Sequence, residues 1–559
     1  MTSDGGLHGG IGSEFATAAA ALRAERVPRN TRLRDAEAAL SENRLAEAQE
    51  ILGRVLERHT DDPFALNLMA VTVSRMGRKE EAAALLAKCV ALDEDFAAAR
   101  YEYASLLFQL NKTDEALTHI DELLTARPRN LLFRDLKSAV LTAIGNYSGA
   151  LRGLREMAED YPHSPEIWVK YGAALRSVGQ REQCIAAYRK AIELLPQMGE
   201  AYWSLACLRN YRFSGHEIVQ MQTQLAQGSL SGEERMYFHF ALGSALAAQG
   251  RYEKSFENYT RGNALKRLTI EYDPDSLRRH VQACKALMTE KFFRARRDLG
   301  CMEPGPIFII GMQRAGSTLV EQILASHSSI EPTAELPNIS LLAEHLGEKV
   351  APEYGSKYPQ VLEKLSAITL RNLGEQYMET TRSHRRLGRP FFIDKMPYNF
   401  LHLGLMLLIL PNAKIIDVRR HPLGCCFSNF AMHFRSGPLF GYRLAELGHA
   451  YASYVELLAH FDRIMPGRVH RIIYENLVRS PENEVHAVLD YIGLPFENTC
   501  LEFHRSKRAM NSASSEQVRE RLYDDAINHW RNYEQWLGPL KKALGSILET
   551  YPEVPEVEK

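Results

Sequence analysis

The sequence predicts two architectures in series. An all-α solenoid of helical hairpins is followed by an α/β domain whose parallel sheet surrounds a P-loop-like turn. Three observations lead there. Small residues and turn residues recur at a spacing of 34 over roughly the first 200 positions. Past Pro304, short apolar runs alternate with amphipathic stretches. Within that second half, Gly311–Thr318 has the glycine spacing of a phosphate-binding loop.

The chain of 559 residues is too long for one core, since domains run about 100–200 residues. Hydrophobic residues at 45% and charged residues at 25% are ordinary for a globular protein. A net charge of −1 excludes a global electrostatic footprint for nucleic acid or anionic membrane. The eight cysteines are scattered and form no CxxC pair, which argues against a disulfide framework or a structural zinc site. The first residues lack the basic-then-apolar order of a signal peptide. The longest apolar run, Phe400–Leu410, is shorter than the roughly 20 residues a membrane span needs. A cytoplasmic protein with no membrane span is expected.

The repeat begins after residues 1–29, a Gly- and Ala-rich stretch that reads as a flexible tail. Its anchors are Ala48, Ala82, Ala116, Ala150 and Cys184, each preceded five positions earlier by Asn43, Gly77, Asn111, Gly145 or Gly179. Twelve positions before each anchor lies another small residue: Ala36, Ala70, Ala104, Ser138 or Gly172. Twelve positions after the last three lies Pro128, Pro162 or Pro196. Small residues let two helices approach, and the proline ends the second helix. One such hairpin cannot bury its apolar face alone, so hairpins stack. The pattern resembles the tetratricopeptide repeat, clear to residue 199 and weaker to residue 269. Such repeats either offer a face for a peptide or protein partner, or brace the second domain or dimerise. Residues 270–304 read as a charged helical connector.

From residue 305 the expected strands are Ile307–Ile310, Phe391–Ile393, Lys414–Val418 and Arg471–Tyr474. The expected helices are Ser317–His327, Tyr398–Leu410, Leu423–Phe434 and Pro481–Ile492. In such a sheet, ligands bind at the carboxyl ends of the strands. The loop Gly311-Met-Gln-Arg-Ala-Gly316-Ser317-Thr318 follows the first strand. Its backbone N–H groups and the following helix N-terminus suit a phosphate group. It carries Ser317 where nucleotide triphosphatases carry lysine, so its nearest cation is Arg314 and a triphosphate is disfavoured.

GMQRAGSTLVEQIL resembles the 5′-phosphosulfate loop of the sulfotransferase family, most closely its tyrosylprotein and bacterial repeat-linked branches. It departs at Gln313 and Ala315, where the family commonly has proline and serine. The resemblance continues through IIDVRRHPLGCCFSNF and on to about residue 540. It implies a 3′-phosphoadenosine-5′-phosphosulfate (PAPS) donor, no metal, and an acceptor hydroxyl, with tyrosine of a peptide or protein as one acceptor class. Donor contacts are implied for Arg314, Ala315, Gly316, Ser317 and Thr318. Arg420, preferred over Arg419, and Ser428 are implied for the 3′-phosphate, with further contacts from Tyr474 and Arg531. For catalysis it implies Glu335 as base, with Glu331 as local rival, and Lys395 as the cation on the bridging oxygen. It adds Ser514 near the donor and Asp394 as an orienting neighbour of Lys395. His421, His433 and His529 are lesser candidates for the base. Two other readings stay open: a P-loop kinase or ATPase-like binder, and an inactive repeat scaffold.

Overall fold

Every turn residue of the 34-residue pattern adopts the left-handed backbone that breaks one helix before the next: Asn43 (φ 58°), Gly77 (87°), Asn111 (59°), Gly145 (77°) and Gly179 (81°). The computed structural model describes residues 14–24, 30–434, 437–505 and 525–552. Ser514 lies outside them. Contacts divide the chain into two compact units, Met1–Ala174 and Leu175–Lys559.

The first unit opens with α1 (Glu14–Ala24), a helix where the sequence suggested tail. The hairpins follow: α2 (Thr31–Ser41) with α3 (Leu45–Arg58), α4 (Pro63–Arg75) with α5 (Lys79–Leu92), and α6 (Ala97–Gln109) with α7 (Thr113–Ala126). After α8 (Leu131–Ala143) and α9 (Tyr147–Asp160) comes α10 (Pro165–Val178), whose residues up to Ala174 belong to this unit. The side chains of Asn30, Asp62 and Asn130 cap α2, α4 and α8 by accepting from free N–H groups. Ala36, Ala48, Ala70, Ala82, Ala104 and Ala116 are fully buried, as the close approach of paired helices requires. Pro128 and Pro162 each stand two residues past a helix end.

The second unit continues the helices with α11 (Arg181–Leu194), α12 (Gly199–Ala206), α13 (Gly215–Ala226), α14 (Gly232–Ala247) and α15 (Tyr252–Leu268). In the α14–α15 pair, a Cβ on Gly243 would lie 2.5 Å from the Tyr259 ring, so only glycine allows this approach. Two more helices, α16 (Ser276–Leu287) and α17 (Glu290–Arg294), lead to the sheet.

The sheet domain runs β1 (Pro306–Gly311), α18 (Ser317–Ala325), β2 (Ile330–Pro332), α19 (Asn338–His345), α20 (Ala351–Glu353), α21 (Ala367–Thr380) and β3 (Phe391–Lys395). It continues with a 3-10 turn at Pro397–His402, α22 (Leu403–Ile409), β4 (Lys414–Arg419), α23 (Pro422–Phe430), α24 (Leu444–Ile464) and β5 (Val469–Ile473). It ends with α25 (Tyr474–Arg479), α26 (Pro481–Ile492), α27 (Asp525–Asn528), α28 (Gly538–Leu544) and α29 (Ile547–Thr550). The strand order is β2-β3-β1-β4-β5, and every pair is parallel. β2 was not anticipated, because Ile-Glu-Pro carries too little apolar pattern to read as a strand. One apolar core joins Trp203, Phe240 and Tyr259 of the helices to Ile307–Ile310 of β1 and Ile415–Ile416 of β4.

Candidate active site

Four parallel strands end on one edge, and the residue at or just past each end faces the same region. β1 delivers Gly311 and the loop, β3 delivers Lys395, β4 delivers Arg420, and β5 delivers Tyr474.

The loop is fixed by backbone geometry. Gly311 has φ 141°, and a Cβ there would lie 2.4 Å from the Val418 carbonyl oxygen. Gly316 has φ 108°, and a Cβ there would strike the Tyr474 ring at 2.6 Å. Between them Arg314 is itself left-handed at φ 65°, a position where a non-glycine residue signals local strain. Ala315 is buried, and α18 opens with Ser317 and Thr318, both nearly buried. Its nine residues give the loop a helix N-terminus with positive dipole end.

α23 holds this loop from the side. Asn429 Nδ2 donates to the Gln313 carbonyl at 2.7 Å, and the Cys425 thiol donates to the same oxygen at 3.2 Å. Arg314 Nε donates to the Ser428 hydroxyl at 3.1 Å. Arg420 Nη1 donates to the Arg314 carbonyl at 3.2 Å, and its guanidinium lies 4.9 Å over the Tyr474 ring. Arg314, Gly316, Arg420, Ser428 and Tyr474 therefore form one cluster. Neither Cys425 nor Asn429 was singled out from sequence; both lie within three residues of Ser428 on the same helix, which was the available signal. The side-chain Oε1 of Gln313 is buried without a hydrogen-bond partner.

Strand alternation separates the two neighbouring arginines. Arg419 turns into the core, where Nη2 donates to Asp417 at 3.0 Å. The turn to α23 is buttressed by His421, whose ring stacks on Trp530 at 5.0 Å and whose backbone N–H donates to Glu475 at 3.1 Å. Burial pushes the pKa of His421 and His529 down, and that of His433 down to about 3. Arg531, next to Trp530, is exposed and donates to Asn528 at 3.1 Å. It lines an open cavity of about 530 Å³ with Glu534, Gln535 and Lys541. Its guanidinium lies 5.5 Å over the Trp530 ring.

At the other side of β1, the buried Lys395 makes an ion pair with Glu335 and lies 3.9 Å from Glu321 of α18. Glu321 was not anticipated; its place one turn into α18 was the signal. The Glu335 side chain is 45% exposed while that of Lys395 is 4%, so the pair runs from the interior to the surface. Glu331 is fully buried and is held by Arg385 at 3.1 Å and the Leu387 N–H at 2.7 Å. Asp394 turns away from Lys395 and accepts from the Tyr377 hydroxyl at 2.9 Å. Among the described residues, no three His, Cys, Asp or Glu side chains are grouped to hold a metal. Nor is any described helix long and apolar enough to cross a membrane.

Residues 306–498 match the sulfotransferase family model. Residues 165–198 match the tetratricopeptide repeat, and residues 41–123 match anaphase-promoting complex (cyclosome) subunit 3. An uncharacterized protein of Aquifex aeolicus is 27% identical over 92% of this chain and 69% of its own length. A "Putative protein-tyrosine sulfotransferase" of Caenorhabditis briggsae is 24% identical over 40% of this chain and 80% of its own. The sulfotransferase domain of the Synechococcus PCC 7002 olefin synthase is 19% identical, covering 42% of this chain and 90% of that one, with a TM-score of 0.32.

Proposed function

From the premise that a sulfotransferase-family domain follows tetratricopeptide repeats in this chain, we propose that it moves a sulfuryl group from PAPS to an acceptor hydroxyl. We take tyrosine of a peptide or protein as the acceptor, in keeping with the function named for the C. briggsae relative. The observation that carries the reading is the Lys395–Glu335 ion pair at the strand edge beside the loop helix.

The residues suit the donor. The loop offers a cradle that a Cβ at Gly311 or Gly316 would fill. Its cations are guanidiniums, which suit phosphate through charge and fork geometry. Arg314 with Ser317, Thr318 and the backbone of Ala315 and Gly316 would hold the 5′ end. Arg420 and Ser428 would hold the 3′-phosphate, a group ATP lacks, with Tyr474 beside them. Arg531, whose guanidinium lies 5.5 Å over the Trp530 ring, would add a further donor contact. The donor supplies an activated sulfuryl group; the remaining roles fall to side chains. Glu335 accepts the proton of the attacking hydroxyl. Lys395, held by Glu335 and Glu321, neutralises charge on the departing oxygen.

The test is sulfate transfer from labelled donor, with tyrosine-bearing peptides and a cell extract as acceptors. Glu335→Ala and Lys395→Ala should each lower turnover by about 10²-fold or more. Undiminished rates would remove both assignments. Calorimetry should give tighter binding of adenosine 3′,5′-bisphosphate than of ATP; the reverse order would favour a kinase-like site.

A further inference from the structure

α1 belongs to no hairpin, yet its residues follow a docking pattern. Phe15 and Leu22 are buried and Ala18 and Ala19 are half-buried, while Ala16, Thr17, Ala20 and Ala21 face solvent. Those inward positions are i, i+3, i+4 and i+7, one stripe of a helix. The stripe packs against α6 and α8, the first helices of successive hairpins, whose Ala97, Leu131 and Phe133 share its apolar cluster. α6 and α8 come from neighbouring hairpins of one stack, and such stacks bind partners on an extended surface built from successive repeats. At one end of α1, the Lys170 ammonium of α10 lies 4.4 Å over the Phe15 ring. At the other, Arg23 lines a pocket of about 180 Å³ with Arg75, Glu102, Ser105 and Gln109. Burial raises the pKa of Glu102, and the nearby Arg23 and Arg75 oppose that rise.

Two features mark α1 as replaceable. An isolated helix of 11 residues is marginal in water, so α1 owes its order to docking. Its first residue is only partly matched: burial and the like charge of Glu166 raise the pKa of Glu14, while a hydrogen bond with Ser164 and the nearby His163 oppose that rise.

We propose that α1 is an intramolecular stand-in on a docking face of the first unit. The face takes an amphipathic helix of a partner protein with the same pattern: an aromatic residue, small residues three and four positions on, leucine at seven, then a cation. Lys170 reads the ring, the small residues allow close approach to α6 and α8, and Glu102 reads the cation. Binding of that helix and docking of α1 exclude one another.

The experiment uses the full-length chain and a fluorescent peptide of residues 13–26. In the chain carrying Phe15→Glu and Leu22→Glu, which ejects α1, the peptide should bind at least about tenfold tighter than in the wild type. A peptide that keeps only Phe15, Ala18, Ala19, Leu22 and Arg23 on a Glu/Lys/Gln background should bind within about threefold of the first. The peptide with its own Phe15→Ala and Leu22→Ala should lose binding, and Glu102→Lys in the ejected chain should weaken it about tenfold. Should the glutamate variant fail to fold by circular dichroism, Phe15→Ala with Leu22→Ala in the chain serves instead. Equal binding to the ejected and wild-type chains, no binding to either, or full binding of the altered peptide would each overturn the proposal. So would sedimentation of the wild type as dimers that dissociate on ejection, because α1 would then be exchanged between two copies.

Discussion

Asp394 shows how much one side chain's environment matters. It neighbours Lys395 in sequence but points to the other face of β3, where it is fully buried and bonded to Tyr377. Burial pushes its pKa up to about 7 from an ordinary 3.8, with the Tyr377 hydrogen bond opposing. Between those values the folded chain keeps a proton that the unfolded chain has lost. Stability from this group therefore falls as pH rises across that window and levels off above about 7. Asp394→Asn keeps an acceptor for Tyr377 and removes the titration. The variant should gain on the order of 2 kcal/mol relative to wild type between pH 5 and pH 8, read by urea unfolding. A pH-independent difference would show that Asp394 is already charged at pH 5. The sequence made Lys395 and Glu335 legible through spacing in a resembling motif. It gave Asp394 the part of orienting Lys395, whereas the carboxylate accepts from Tyr377 of α21, a partner that no spacing within the strand motif encodes. It chose Arg420 over Arg419, and the structure places only Arg420 at the loop while Arg419 pairs with Asp417.

At the scale of elements, the loop's position depends on α23, and α23 depends on α15. Asn263 of α15 donates to the carbonyl of Phe430, the last residue of α23, at 2.7 Å. Tyr259 lies 6.4 Å from Phe427, and Arg267 is 3.2 Å from the buried Glu446 of α24. Asn263→Ala leaves the Phe430 carbonyl buried and unsatisfied, at a cost of about 1–3 kcal/mol. Because α23 also carries Cys425, Ser428 and Asn429, the loss should appear as weaker nucleotide binding. Calorimetry with adenosine 3′,5′-bisphosphate should give a Kd raised about threefold to tenfold. Arg267→Ala, which touches α24 but not α23, should lower Tm and leave that Kd unchanged. If both variants changed Kd alike, α15 would be acting on general stability alone. The hairpin pattern made α15 visible as a degenerate repeat, since Gly250 in the turn before it and its own Tyr252 and Ser255 keep the register. Its partner was not visible: the two bonded residues are 167 positions apart, and no local period encodes which distant faces meet.

For the whole molecule, the change of architecture and the division of contacts fall at different places. The sheet begins at Pro306, but the second compact unit begins at Leu175. The change of architecture was legible because the 34-residue period is local and ends before the strands begin. Cohesion was not, because it depends on apolar faces that the period also requires within the hairpins. Phe256 of α15 stacks on Trp536 at 5.5 Å, Tyr252 lies 5.3 Å from Tyr533, and Tyr237 of α14 lies 5.2 Å from His433. Ser255 Oγ also bonds the Tyr533 hydroxyl at 3.0 Å. Burying each large apolar side chain is worth about 1.5–3 kcal/mol, against a total stability of about 5–15 kcal/mol. Removing α14 and α15 uncovers several such groups at once, Phe427, Phe430, Tyr533 and Trp536 among them. A chain of residues 305–559 should therefore lack a cooperative urea transition, or show one with a sharply lowered midpoint, and should not bind adenosine 3′,5′-bisphosphate. A chain beginning at Gly179, after α10 ends, retains those helices and should unfold cooperatively with nucleotide affinity close to that of the full chain. A stable, nucleotide-binding 305–559 fragment would show instead that the sheet's own core suffices, and that the repeat helices rest on the catalytic domain without completing it.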